Sequence, residues 1–224
     1  MSIFPIAIAL IVLIFSAIFH EVAHGYVAER LGDPTARLLG RLTLNPIKHI
    51  DPVMTILLPI LLFIGSGGRF ILGGAKPVPI DPFNLKDGRK DIALVSASGP
   101  LTNILIAIIA TLIFKIIFFN YSFSSIIYSG ISITNLFDFM ALFIGTVIHI
   151  NILLAVFNLL PIPPLDGSKI FSLILPEHLA NSYLSLSSIG FFILIFLLVF
   201  PIGGFSLGNF LFNLIFLAER LMGL

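Results

Sequence analysis

Long apolar runs are the feature that most restricts what this chain can fold into. Residues 92–119 and 136–160 each reach or exceed the roughly 20 residues that a helix needs to cross a bilayer. Only 10% of the residues are charged, whereas a soluble domain of this size carries about 25%. We therefore predict an all-α polytopic membrane protein, embedded in the lipid bilayer as a single domain over residues 1–224.

The apolar runs predict about five transmembrane helices and one shorter element. The first run ends near Arg30, and because no Lys or Arg precedes that residue we expect a retained helix rather than a signal peptide. Residues 53–64 are too few to span and predict a short re-entrant segment. Two further runs, 184–200 and 207–221, predict a helical hairpin over about residues 184–222, which leaves a core of about residues 3–175.

A polar stretch follows the first helix. Residues 35–44 contain β-compatible pieces around Gly40, which predict a small β-hairpin region on the cytoplasmic side. A second short strand is predicted at residues 70–72, ahead of a pair of glycines. His49 also lies in this polar part of the chain, where we expect it to make a loop or headgroup contact.

The first apolar run ends in the pattern H-E-x-x-H, formed by His20, Glu21 and His24. Positions i and i+4 share one face of a helix, so the two imidazoles can bind one metal ion. Glu21 points about 100° away around the helix and can accept a proton from water beside the metal. A lone His on an apolar face is usually a core residue, but three ionisable side chains at membrane depth are costly and rarely idle.

A catalytic zinc usually has three protein ligands, and Asp138, His149 and Asp166 are the candidates for the third. Asp138 begins its span on the far side, whereas His149 lies mid-span and can approach the metal. Asp166 is the best candidate because three prolines precede it, and irregular backbone at membrane depth must be buried in protein or line a cavity. Capping of a helix that starts near Ser168 explains its position equally well on spacing alone.

The composition excludes cysteine-based sites and argues against one class of partner. The chain has no cysteine, which excludes disulfides, thiolate ligands and a cysteine nucleophile, so His and carboxylate side chains must hold any zinc. The net charge of +1 argues against nucleic acid as a partner.

The distribution of basic residues predicts the topology. Loops rich in Lys and Arg flank residues 53–64, and if that segment crossed the membrane the two loops would face opposite sides, against the positive-inside rule. A re-entrant segment keeps both loops in the cytoplasm and puts the charge-free residues 120–134 outside. The next span then returns Asp166 to the membrane half of His20 and His24. We predict a multi-pass protein of the cell membrane with its active site toward the cytoplasm.

Two motifs in this order resemble the site-2 protease family of intramembrane zinc metalloproteases. These are HEVAH at residues 20–24 and NLLPIPPLDG at residues 158–167. The motifs GRLTLNP at 40–46, AKPVP at 75–79 and SGP at 98–100 are similar to those of the short bacterial and archaeal members, which have no PDZ domain.

The resemblance implies that His20, His24 and Asp166 bind one Zn²⁺ per chain and that Glu21 is the catalytic base. It also implies that Asn158 lies near the site and holds the substrate backbone. The expected reaction, a form of regulated intramembrane proteolysis, is hydrolysis of a peptide bond within or near a transmembrane segment of a protein substrate.

Access of substrate and water to such a site needs further groups. A substrate helix must unwind locally, and residues 37–44 are our candidate for a β edge that receives the unwound strand. Asn103, Asn151 and Asn158 can line a water path, although hydrogen bonding between helices explains them equally well.

Two other functions use the same His pair. A membrane metal-binding transporter is expected to contain internal repeats and a polar path across the membrane. The sequence shows no repeat. An inactive scaffold for transmembrane partners needs no base at Glu21.

Overall fold

The computed structural model describes residues 3–65 and 75–224, which are mostly helical. The helices are α1 (Ile3–Leu31), α2 (Thr35–Leu38), α3 (Leu58–Gly65), α4 (Arg89–Ile117), α5 (Leu136–Asn158), α6 (Asp166–Phe171), α7 (Glu177–Leu184), α8 (Ser187–Val199) and α9 (Leu207–Leu221). Short 3₁₀ turns occupy Pro46–His49, Pro82–Asn84 and Ser172–Ile174, and π-helical turns occupy Pro52–Leu57 and Ser125–Ser129.

Three of these helices, α1, α4 and α5, are long and apolar enough to cross a membrane, and α7 with α8 would make a fourth span bent by 66°. Helix α9 has 15 residues, about 22 Å, which is shorter than the hydrocarbon layer of about 30 Å. The chain is a multi-pass membrane protein, but the predicted count of about five spans is not confirmed, because the last apolar runs form shorter helices.

Helix α4 is the central packing element, since it contacts α1, α5 and α6. Its lipid-facing side repeats at helical spacing and is apolar, at Leu101, Leu105, Ile108, Leu112 and Ile116. Its buried side consists largely of small or polar residues, among them Ser96, Gly99, Asn103, Ala107 and Ala110. Small residues let the neighbouring helices approach closely within the membrane, where packing and hydrogen bonds replace the hydrophobic effect.

The predicted β-hairpin over residues 35–44 is not confirmed, and the described part of the chain contains no β-strand. Helix α2 begins this region after Pro34, its N-cap residue, and the Asp33 carboxylate just before it accepts from the Thr35 N–H at 3.1 Å. Local bonds such as Arg41 N–H to the Ala36 carbonyl, 2.8 Å, then continue the turn. Residues 37–44 therefore do not supply the predicted β edge, and residues 70–72 lie outside the described ranges.

Residues 53–64 are helical, as a π-helical turn followed by α3, and they are too short to meet the length of a span. Their re-entrant path stays a prediction, since residues 66–74 are not described. His49 is buried, and its ring lies 2.7 Å from the Thr43 carbonyl, which is the loop contact that the sequence predicts.

The C-terminal runs appear as α8 and α9, and these helices pack on the end of α5. The contact is an apolar cluster that consists of Phe157, Leu160, Leu165, Leu194, Leu198, Leu207 and Leu211. The division into a core of about residues 3–175 and a hairpin of about residues 184–222 stays a prediction.

Candidate metal centre

Side chains far apart in the sequence meet beside the C-terminal half of α1. The Nε2 atoms of His20 and His24 each lie 3.1 Å from the same Asp166 oxygen, Oδ2. One ligand atom from each residue falls within 4.8 Å of the others, and all three residues are buried. The two rings stand at 89° to each other, with centroids 4.6 Å apart. This separation suits three ligands that converge on one ion.

The outer nitrogens of both imidazoles are bound by acceptors. The Nδ1 of His20 lies 2.6 Å from the Asn103 side-chain oxygen, and the Nδ1 of His24 lies 2.7 Å from the Val95 carbonyl. Since an oxygen of either kind only accepts, both Nδ1 atoms carry a proton, and in the neutral form of each ring Nε2 then turns an unprotonated lone pair inward. This is the tautomer that a metal-binding histidine needs.

Asp166 adds a negative charge to these two lone pairs. Its Oδ2 lies 3.1 Å from both Nε2 atoms, and a carboxylate at neutral pH has no proton to share with them. With both rings neutral and the carboxylate ionised, the two Nε2 atoms and Oδ2 of Asp166 are three acceptors without a hydrogen between them. A bound cation would be coordinated by all three atoms. Imidazole nitrogen and carboxylate oxygen are ligands that zinc takes in catalytic sites. The residues present therefore fit a zinc ion.

Helix α4 closes the site from a third direction at Gly99. A Cβ atom there would lie 2.5 Å from the Nε2 of His24 and 2.6 Å from that of His20, so no side chain fits. From the sequence, SGP at 98–100 is a motif similar to those of the short family members, with no role assigned to Gly99. Neither Gly99 nor the Val95 carbonyl is identifiable as part of the site before the helices are packed.

Asp166 reaches the site because the chain breaks after α5 and starts again as α6. Gly167 lies against the backbone of Leu159 and Leu160, where a side chain would collide. The Arg89 guanidinium donates to the Ser172 carbonyl and, at 2.9 Å, to the Leu175 carbonyl, which ties the end of this segment to α4.

The capping role considered for Asp166 has no support in this geometry. The residue at the helix cap is Leu165, and no side chain caps the helix. The Asp166 oxygens instead contact the two histidines and, at 3.4 Å, the Lys169 ammonium.

The other candidate ligands have partners elsewhere. Asp138 forms a capping box with Asn135 at the start of α5 and accepts from the Tyr121 hydroxyl at 2.7 Å. His149 pairs with Glu219 of α9 at 2.7 Å. Asn158 donates to the Leu154 carbonyl of its own helix at 2.9 Å, and its role in substrate binding stays a prediction.

Two of the asparagines considered for a water path instead join helices. Asn103 and Asn151 are fully buried and bond to each other at 2.8 Å, and Asn151 also donates to the Ser16 hydroxyl at 2.9 Å. This chain of bonds connects α1, α4 and α5 directly behind His20. Hydrogen bonding between helices, the alternative that the sequence leaves open, describes both residues.

Glu21 lies beside the cluster on the next position of α1. It is half-buried, and its Oε2 accepts a hydrogen bond from the Val78 N–H at 2.8 Å. A carboxylate at the edge of a cation site is placed to exchange a proton with water there.

Comparison with known proteins supports this chemistry. The chain matches the sequence profile of peptidase family M50 over residues 8–200. It is 37% identical to "Putative zinc metalloprotease YwhC" of Bacillus subtilis over 88% of this chain and 82% of that protein. It is 30% identical to "Putative zinc metalloprotease Rip2" of Mycolicibacterium smegmatis, over 91% of this chain and 69% of that protein, and to "Putative zinc metalloprotease MJ0611" of Methanocaldococcus jannaschii, over 75% and 71%. No solved structure gives a significant match.

Proposed function

This chain belongs to peptidase family M50, the site-2 protease family of zinc metalloproteases, and on that premise we propose that it hydrolyses a peptide bond within or near a transmembrane segment of a membrane-protein substrate. The observation that carries the proposal is the buried cluster of His20, His24 and Asp166, in which one ligand atom from each residue lies within 4.8 Å of the others. A cluster of this kind can hold a cation, and in α1 it adjoins the Glu21 carboxylate, which can act as a base.

We assign the zinc ligands to His20 Nε2, His24 Nε2 and an Asp166 carboxylate oxygen, with one Zn²⁺ per chain. Bound zinc supplies Lewis acidity toward water and toward the scissile carbonyl. Asn103 and the Val95 carbonyl hold the two rings in the ligating tautomer, and such partners raise both metal affinity and the order of the site.

Glu21 is the proposed base. Its carboxylate takes a proton from the attacking water and gives the proton to the amine nitrogen of the leaving fragment. The bond from the Val78 N–H occupies Oε2 of this carboxylate. Asn158 stays our candidate for contact with the substrate backbone.

The proposed site faces the cytoplasm of the cell. His24 lies seven residues before the end of α1, or about 10 Å along the helix axis, so the site sits below one membrane surface. Nine of the 12 Lys and Arg residues lie within residues 30–48 or 76–90 or at Lys169, in described segments that adjoin this end of the helices. This bias favours a cytoplasmic location by the positive-inside rule.

The test is cleavage of a model transmembrane substrate by the purified protein in liposomes, with and without a chelator. We expect cleavage that the chelator abolishes and added zinc restores. Glu21→Gln should keep zinc and lose at least about a hundredfold in rate, because the ligands remain and the base is lost. Zinc binding with no cleavage by the wild type would favour an inactive scaffold, and zinc uptake into the liposomes would favour a transporter.

A further inference from the structure

An extended segment, residues 75–81, lies along α1 beside the proposed catalytic base. The Val78 N–H donates to Glu21, and the Val78 side chain is buried, with 5% of its surface exposed. It packs on Gly25, where an added Cβ would lie 2.9 Å from Val78 Cγ1. Since Glu21 and Gly25 are one helical turn apart, the segment contacts a single face of α1.

The sequence of this segment restricts where it can donate a hydrogen bond. Pro77 and Pro79 have no N–H, so Val78 supplies the only backbone donor between residues 77 and 79. A residue that precedes proline is also held in extended conformations. Residues 77–79 therefore present one rigidly placed donor, and that donor bonds to Glu21.

Two anchors fix the segment on either side of Val78. On one side, the Lys76 N–H donates to the His49 carbonyl at 2.7 Å, and the Arg41 guanidinium donates to the Lys76 carbonyl at 2.8 Å. On the other side, the Asp81 N–H donates at 2.7 Å to Oδ2 of Asp33, which is fully buried.

The Asp33 anchor is itself held in place. Its other oxygen, Oδ1, accepts from the Thr35 N–H at 3.1 Å, the Thr35 hydroxyl at 2.5 Å and the Asn84 amide at 3.0 Å. The carboxylate is thus fixed between the end of α1 and the Pro82–Asn84 turn.

We propose that the Val78 N–H orients the Glu21 carboxylate toward the metal cluster, and that Asp33 is the positioning residue that holds Val78 in register through Asp81. The inference rests on the proposed function, since it gives Glu21 the role of base. Fixing one oxygen of a carboxylate fixes the direction of the other, and misplacement of a catalytic group by about 1 Å can cost about a hundredfold in rate.

A pair of substitutions at Val78 isolates the donor. Val78→Pro removes the N–H, whereas Val78→Ala keeps the N–H and loses the packing on Gly25. We expect Val78→Pro to lower kcat about tenfold or more, with KM and zinc content within about twofold of the wild type, as the loss of one hydrogen bond to a charged group predicts. Val78→Ala should lower kcat no more than about threefold. Equal kcat values for the two variants would overturn the proposal.

Asp33→Asn provides a second variant in case Val78→Pro does not fold. The single amide oxygen would still serve the Thr35 and Asn84 donors, so the amide NH₂ would face the Asp81 N–H and that anchor would be lost. We expect a drop in kcat of about threefold to tenfold at unchanged KM and zinc content. A zinc-loaded Asp33→Asn protein with the kcat of the wild type would overturn the positioning role.

Hydrogen–deuterium exchange reports on the hydrogen bond from the Val78 N–H to Glu21 without any assay of activity. Glu21→Ala removes the acceptor, so the Val78 amide should exchange at least about tenfold faster, whereas the Asp81 amide should keep its protection. Unchanged exchange at Val78 would contradict the inferred bond. A wild-type protein that cleaves no substrate would count against the proposed function instead, so the two failures are distinguishable.

Discussion

Single side chains decide whether the cation is held, because His20, His24 and Asp166 form a buried set of acceptors. Removing the Asp166 carboxylate should therefore reduce the amount of bound zinc. We predict that Asp166→Ala lowers zinc content at least about tenfold, since changes at the metal site cost 10–100-fold in affinity even for groups outside the ligand set. Zinc per chain is measured by atomic emission after gel filtration. Asp87→Ala, which removes an exposed acid, is the control and should keep its zinc.

Substitution of Gly99 is a second test of the proposed metal site. Gly99→Ala should lower zinc content because the new methyl group would lie about where the two Nε2 atoms converge. The matched control is Gly145→Ala in α5, where the nearest atoms to an added Cβ are side-chain carbons 3.4 Å away. Zinc loss of equal size in both variants would mean that Gly99 acts through general packing of the helices.

The sequence predicted part of this site and could not predict the rest. His20, Glu21 and His24 are identifiable because helical periodicity alone places them together. Asp166 had two explanations on spacing, and only the packing of α6 against α1 separates them. The contacts of Gly99 with the imidazoles and of Val78 with Glu21 join residues more than fifty positions apart, so no local pattern reveals them.

At the level of elements, Asp33 joins α1, α2 and the extended segment 75–81. Burial raises the pKa of Asp33, but its bonds from Thr35, Asn84 and Asp81 outweigh burial and lower that pKa. A lowered folded-state pKa adds stability above the usual aspartate value of about 4, and this stability is lost as the pH falls through the lower folded value.

We therefore predict that Asp33→Asn lowers the Tm at pH 7, and that the difference from the wild type narrows as the pH falls below about 4. Thermal unfolding in detergent across this range measures both effects. Asp87→Asn, at an exposed position, should follow the wild type throughout. A constant difference in Tm at every pH would assign the effect of Asp33 to packing rather than to its charge.

Elements were predicted well where length and composition dominate. The runs 92–119 and 136–160 match α4 and α5 to within a few residues, because a long apolar helix has few alternatives in a membrane. The hairpin over residues 35–44 failed because β-compatible residues carried the prediction, whereas the Asp33–Pro34 helix start decided the local structure. The runs 184–200 and 207–221 correspond to α8 and α9, whose 13 and 15 residues are each fewer than a single spanning helix needs.

For the whole molecule, the proposed orientation in the membrane is tested at single positions. Because the chain contains no cysteine, single cysteines report topology without background. We predict that Lys86→Cys reacts with an impermeant maleimide only after the cytoplasmic side is opened, and that Asn120→Cys reacts in intact cells. The opposite pattern would invert the assigned orientation and move the proposed active site to the outer face.

The last proposed ligand follows His24 by 142 residues along the chain. A ribosome must therefore finish most of the protein before the coordination set is complete, and the two histidines enter the membrane long before their carboxylate partner is synthesised. Products of interrupted translation that end before α6 would lack a competent centre. The order of synthesis thus puts completion of the proposed ligand set at residue 166 of 224, after α1, α4 and α5 have all been made.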